Sequence, residues 1–271
     1  MSPERAPSRF SLNQYTTHGW SLTEAVAGCV ERGVHHIGLW RDKFAELGLS
    51  DSAELLRSSG LSVSSLCRGG FFPTEADGGA DNRRAVDEAA ALGTDVLVLV
   101  CGGLPPNDRD LDRARQRVAD GIAELATYGA ANGVKLAIER LHPLFGADRS
   151  VIVSLAQALD IAEQFPADQV GVVVDTYHVW WDPDVWNQIE RAGERILAFQ
   201  VCDWIVPLPD VLLGRGMMGE GIIELRRFRQ AVDAAGYAGV IEVEIFNQEI
   251  WNAPGDETLD RAIATYQKHV E

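Results

Sequence analysis

The chain has 271 residues, 46% of them hydrophobic, which is enough for one large core or two smaller ones. Its 40 acidic and 24 basic residues leave a formal charge of −16, which repels phosphate backbones and argues against a nucleic-acid partner. No apolar run reaches the ~18 residues of a membrane span and the opening segment lacks an apolar signal core, so a soluble, cytoplasmic protein with no membrane partner and a flexible lead at 1–8 is expected.

Short β-type runs recur eight times, at Arg9–Tyr15, Val34–Trp40, Leu61–Cys67, Asp95–Cys101, Val134–Arg140, Val170–Thr176, Ile196–Cys202 and Val240–Phe246. Between them lie stretches of helical period, such as Ala114, Val118, Ile122 and Leu125, or Ile152, Leu155, Leu159 and Ala162. Several strands follow a helix-ending glycine, as in ERGVHHIGLW and ANGVKLAIER. The runs are nearly continuous in apolar residues, as parallel strands buried on both faces must be. Cys29, Cys67, Cys101 and Cys202 form no CxxC pair and are expected as buried, reduced thiols. No linker or composition break divides the chain, so 1–271 is expected as a single domain.

Eight βα units close into a barrel or lie as an open doubly wound sheet. The first strand leads into Tyr15-Thr-Thr-His-Gly-Trp20, which is not the glycine-rich turn that a nucleotide-binding sheet needs after an early strand, and GxxxxGK[ST] does not occur, which argues against the nucleotide-binding version of the open sheet. A (β/α)8 barrel is therefore expected, with its chemistry at the C-terminal ends of the strands. Polar residues concentrate there in the second half: Glu139 and His142 after strand five, Asp175 and His178 after strand six, Gln200 and Asp203 after strand seven, Glu242 and Glu244 in strand eight. An acid inside an apolar strand is costly unless paired, hydrogen-bonded or bound to a cation. Glu139, Asp175, Gln200 and Glu244 are spaced by 36, 25 and 44 residues, compatible with one ligand per successive unit around a shared divalent metal.

The segments ERLHP, DTYHVWWDP, AFQVCDW and EVEIF carry a resemblance that spans nearly the whole chain. The sequence resembles the sugar phosphate isomerase/epimerase family with the xylose isomerase-like TIM barrel, which includes ketose 3-epimerases, inosose isomerases and dehydratases, and C-glycoside deglycosidase catalytic subunits. The resemblance implies a divalent ion held by Glu139, Asp175, Gln200 and Glu244, with Gln200 standing where the family has His. An amide oxygen keeps the charge of the site unchanged and shifts preference from Zn²⁺ toward Mn²⁺ or Mg²⁺, with Co²⁺ also possible.

His142 and His178 each follow their strand's carboxylate by three residues and are expected over the pocket, His142 as a catalytic group and His178 as a substrate contact. Trp20, Trp40, Trp180, Trp181 and Trp204 follow strand ends, and Trp180 and Trp204 are expected to line the pocket. Arg215, in the glycine-rich DVLLGRGMMGEGII, is expected to contact an oxygen-rich or anionic group. His18 faces the pocket only weakly, His35 and His36 have no assigned role, Asp182 caps a helix, and Glu242 is expected in a buried ion pair or supporting contact.

This constellation fits proton transfer next to a carbonyl, with Glu139 and Glu244 as the acid/base pair, each step worth roughly 10²–10⁴-fold. The leading expectation is a Mn²⁺-dependent isomerase or epimerase of a small sugar or cyclitol, assembled as a homo-oligomer. The alternatives are an inosose dehydratase-like enzyme and a lyase on 3-oxo-glycosides, the latter working with a small partner subunit. An abasic-site endonuclease would need more histidines and a basic rim, and a metal-free scaffold would draw its support from Gln200.

Overall fold

The computed structural model describes residues 6–74 and 79–271. Ten strands occur in chain order: β1 (Phe10–Asn13), β2 (His36–Trp40), β3 (Ser62–Gly70), β4 (Val96–Val100), β5 (Lys135–Glu139), β6 (Val170–Asp175), β7 (Ile196–Val201), β8 (Asp203–Trp204), β9 (Arg215–Gly216) and β10 (Ile241–Val243). Eight of them close a parallel barrel in the order β1, β2, β3, β4, β5, β6, β7, β10. The (β/α)8 architecture is thus present, with helices between successive strands. The short antiparallel pair β8/β9 stands outside the ring.

Alternation along each strand separates two cores. Leu97 and Leu99 of β4, Leu136 and Ile138 of β5, and Val172 and Val174 of β6 join the large core that includes the surrounding helices. Their neighbours Val96, Val98, Ala137, Val173 and Ala198 form a second, smaller cluster. Continuing that second parity toward the C-terminal end reaches Glu139, Asp175 and Gln200, so the step of two that buries valines lower down also delivers the polar groups. The helices start on conventional caps: Ser21 forms a capping box with Glu24, and Asp110 and Ser154 cap Leu111–Ala131 and Leu155–Ala162.

Two strand ends differ from the sequence expectation. β3 runs on to Gly70, through a bulge opposite β4. β10 stops at Val243, because Thr16 replaces strand pairing: its hydroxyl donates to Val243 O at 2.8 Å and accepts from Ile245 N–H at 3.0 Å. The expected lead at 1–8 lies mostly outside the described residues. All four cysteines are buried free thiols. Among the described residues no helix is long and apolar enough to cross a membrane.

Candidate active site

At the C-terminal end of the barrel a cavity of about 420 Å³ is bordered by Glu139 and Glu244 and walled by aromatic rings, including Tyr15, Trp40, Phe246 and Trp251. Register sets the polar groups beside one another, since Asp175 pairs with Gln200 and Gln200 with Glu242. All three are buried, as are Glu139 and Glu244.

Arg215 reaches this cluster from the β8/β9 hairpin. Its Nη1 donates to Asp175 Oδ2 at 3.1 Å and to Glu244 Oε2 at 2.8 Å. The guanidinium lies 4.7 Å from the ring centres of both Tyr177 and Phe246. Asp203, the second polar residue after strand seven, shapes that loop: its carboxylate accepts from the main-chain N–H groups of Trp204, Gly219 and Ile223 at 2.9–3.0 Å.

Among the described residues Glu242 makes no ion pair. Its carboxylate accepts from Asn13 Nδ2 at 2.7 Å, Ser64 Oγ at 2.7 Å, Ser65 Oγ at 2.9 Å and Gln200 Nε2 at 3.2 Å. Gly38 leaves the room, for a Cβ there would stand 2.4 Å from the Glu242 carboxylate. The last of these contacts decides the orientation of Gln200. An ionised carboxylate only accepts, so the amide NH₂ must face Glu242. Gln200 Oε1 is left buried with no hydrogen-bond partner among the described residues.

That orphaned acceptor bears on whether the residues suit a divalent cation. A buried acceptor without a donor costs about 1–3 kcal/mol, and a cation bound there would remove the deficit. The Glu139 carboxylate likewise receives no hydrogen bond among the described residues. Glu139, Asp175 and Glu244 carry three negative charges when ionised; Arg215 returns one, and the remaining two match a single M²⁺. The donor set is all oxygen and fits a hard divalent ion.

Electrostatics agree with a crowded, buried carboxylate cluster. Burial, then Glu244 and Asp175, hold the Glu139 carboxyl well above its usual range. Burial pushes Glu244 up to about 8, against the pull of Arg215. Asp175 is raised by burial, with Arg215 and the Tyr177 N–H opposing. His178 is driven far down by burial and then by Arg215, so its ring is neutral.

Glu139, Asp175 and His178 place ligand atoms within 4.8 Å of one another, which also suggests His178 as a metal ligand. Hydrogen bonding opposes that role. His178 Nδ1 accepts the His142 main-chain N–H at 3.0 Å, so the neutral ring carries its proton on Nε2. That nitrogen, 3.7 Å from Asp175 Oδ2, is a donor in this tautomer. Arg215 Nη2, 3.3 Å away, is then a close neighbour without a proper hydrogen bond.

The structure brings Glu139, Asp175, Gln200, Glu244, His178 and Arg215 together. It does not bring His142, Trp180 and Trp204 to the same cavity. His142 packs its ring 5.1 Å from Trp204 and 5.5 Å from Trp181 and accepts the Leu144 N–H. Burial and Arg140 lower it to about 4. Trp204 packs at a tilt against Tyr177 and Trp180, with ring centres 4.8 and 5.2 Å away, behind the Tyr177 ring that borders the cavity. Trp40 does border the cavity, and so does His18, stacked on Trp251 at 4.3 Å. Sequence reasoning missed Tyr15, Trp251 and Arg68, which owe their places to how loops and strand ends fold over the barrel mouth.

The family model for xylose isomerase-like TIM barrels matches residues 26–269. A crystal structure of a Sinorhizobium meliloti 1021 protein superposes with a TM-score of 0.94 at 47% identity, covering 97% of this chain and 98% of that one. An inosose isomerase of Bacillus velezensis is 24% identical over 95% of both chains. A 3-dehydroshikimate dehydratase of Pseudomonas aeruginosa is 30% identical over 63% of this chain and 26% of its own length, so the chain spans about a quarter of that enzyme.

Proposed function

Because this chain belongs to the xylose isomerase-like TIM barrel family, we propose that it is a divalent-metal-dependent isomerase or epimerase that moves a proton next to the carbonyl of a sugar or cyclitol. The observation that carries this reading is the pair Glu139 and Glu244: two buried carboxylates with raised pKa on the wall of one cavity. Glu139, Asp175, Gln200 and Glu244 would hold the ion, with Mn²⁺ favoured over Zn²⁺ by the Gln200 amide oxygen. When bound, such an ion supplies Lewis-acid polarisation of the substrate carbonyl.

The chain's own groups divide the proton work. Glu244 is fixed by Arg215 on Oε2 and by Asn13 on Oε1, at 2.8 and 3.0 Å, which favours its carboxylate form. Glu139 has no donor and is the group that most readily carries a proton. A base and an acid with environments this different suit removal of a proton by one and its return by the other. His178 Nε2–H and Arg215 present donors to substrate oxygens, and the aromatic walls exclude water. The alternative outcome is elimination, in which loss of a neighbouring hydroxyl follows the same abstraction; the likeness to a dehydratase keeps that reading in view.

The test is incubation of the Mn²⁺-loaded protein with inososes and ketoses in D₂O, followed by proton NMR. Deuterium entering the carbon next to the carbonyl, with an epimer or isomer formed, is expected. A dehydrated product identifies elimination, and the absence of exchange with every substrate overturns the proposal.

A further inference from the structure

Arg68 and Arg149 border the same cavity as Glu139 and Glu244. Neither guanidinium has a carboxylate partner or a hydrogen bond among the described residues. Other arginines of the described residues mostly take an acid or, like Arg117, Arg140, Arg195 and Arg226, donate to main-chain carbonyls. Arg41, beside Arg68 in the chain's fold, takes Asp81 at 2.8 Å and Glu88 at 2.5 Å, and Arg191 takes Asp160 and Glu163. In a protein with 40 acidic residues, two guanidinium groups left without acids at one cavity mark a place kept for another anion.

Arg68 is half-buried and Arg149 is exposed at the cavity rim. Arg68 lies two residues before the end of β3, its carbonyl accepts from Arg41 Nη1 at 3.4 Å, and its guanidinium lies 4.1 Å from the Phe71 ring centre. The Arg149 carbonyl accepts the Gly102 N–H at 2.9 Å, and its guanidinium stands 5.9 Å from the Phe145 ring centre. A neutral polyol has no need of two such groups. An acidic substrate does, because it must approach a chain of charge −16 and a cluster of carboxylates.

We propose that Arg68 and Arg149 bind an anionic group on the substrate, a carboxylate or a phosphate, so that the enzyme acts on an acidic polyol ketone rather than a neutral one. This rests on the function proposed above and narrows its substrate class.

The experiment measures binding separately from turnover. Metal-free protein is titrated calorimetrically with gluconate, glucose 6-phosphate, glucose and myo-inositol. The acidic ligands are expected to bind at least 10-fold more tightly than the neutral ones, with an advantage that shrinks in salt. The stronger of the two acids identifies the oxyanion. Arg68→Met and Arg149→Met are each expected to reduce that advantage by about 10- to 100-fold, with Arg68→Lys restoring part of it and circular dichroism confirming that the variants fold. Equal affinity for acidic and neutral ligands, or an advantage that survives both Met substitutions, overturns the proposal. Deuterium exchange into a neutral inosose with KM unchanged in Arg68→Met also overturns it while leaving the isomerase reading intact. Arginine-dependent binding of acids without exchange in any ketose upholds the anion site and removes the isomerase reading instead.

Discussion

Glu242 has the hydrogen-bonding pattern of a group that orients another. Four donors hold its carboxylate, and one of them is the amide that would otherwise be free to turn over. In Glu242→Gln the new side chain can both donate and accept, so the Gln200 amide loses its fixed orientation. Removing such support behind a ligand typically costs 10–100-fold in metal affinity. Calorimetric Mn²⁺ titration is expected to show a loss of about 10-fold; affinity equal to that of the unsubstituted protein would rule the role out. Glu139 offers the opposite case, a carboxylate with no compensating donor. Glu139→Gln is expected to lower kcat by about 10²–10⁴-fold and to raise the melting temperature of the metal-free protein by about 2–4 °C. A variant that is inactive but no more stable would show that Glu139 is not strained in the free protein. These carboxylates were legible in the sequence because acids interrupt apolar strands at the right parity. The unpaired state of Arg68 was not, since it depends on which acids the fold brings near.

The β8/β9 hairpin is the element that turns a barrel into a site, because it carries Arg215 back over the strand ends. Asp203 holds it through three main-chain N–H groups. Asp203→Ala leaves those groups buried without an acceptor, and a destabilisation of about 3 kcal/mol is expected in urea denaturation. Activity should fall further than stability explains, because the guanidinium between Asp175 and Glu244 loses its fixed approach. A loss of activity fully restored under conditions that restore folding would contradict that coupling. The eight strands were readable from hydrophobic runs to within a few residues, whereas this hairpin was not. Two residues on each side carry no periodicity, and the turn between them reads only as a glycine-rich loop. Trp180 and Trp204 show the same limit: both follow strand ends, yet they fill space behind Tyr177 rather than face the cavity.

For the molecule as a whole, the carboxylate cluster links stability to pH. Glu244 titrates near 8 in the folded state against 4.5 in the reference state. The folded protein therefore keeps a proton that the unfolded chain has already released. Its contribution is complete below about pH 4.5 and is lost as pH rises toward 8. Glu139 acts in the same direction. Denaturation with a chelator present is expected to show stability falling between about pH 4.5 and 8. The slope should be reduced in Glu244→Gln and reversed by excess Mn²⁺, whose binding requires the ionised form. A flat profile in the metal-free protein would contradict the crowding described here.

Asn13 adds a consequence for how the protein is made. This residue of the first strand donates to both Glu242 and Glu244, one in the last strand and one just past it. More than two hundred residues must leave the ribosome before that contact can form. Until then Asn13, Glu139, Asp175 and Gln200 already exist in the growing chain, but Glu244, the fourth oxygen donor that Asn13 braces, does not. With the ligand set proposed above, a nascent barrel would offer an ion an incomplete set of ligands, and tight capture would wait for the final strand to join the first. Metal loading would then report that the ring has closed, so a chain that stalls or misfolds before that point is left without its ion.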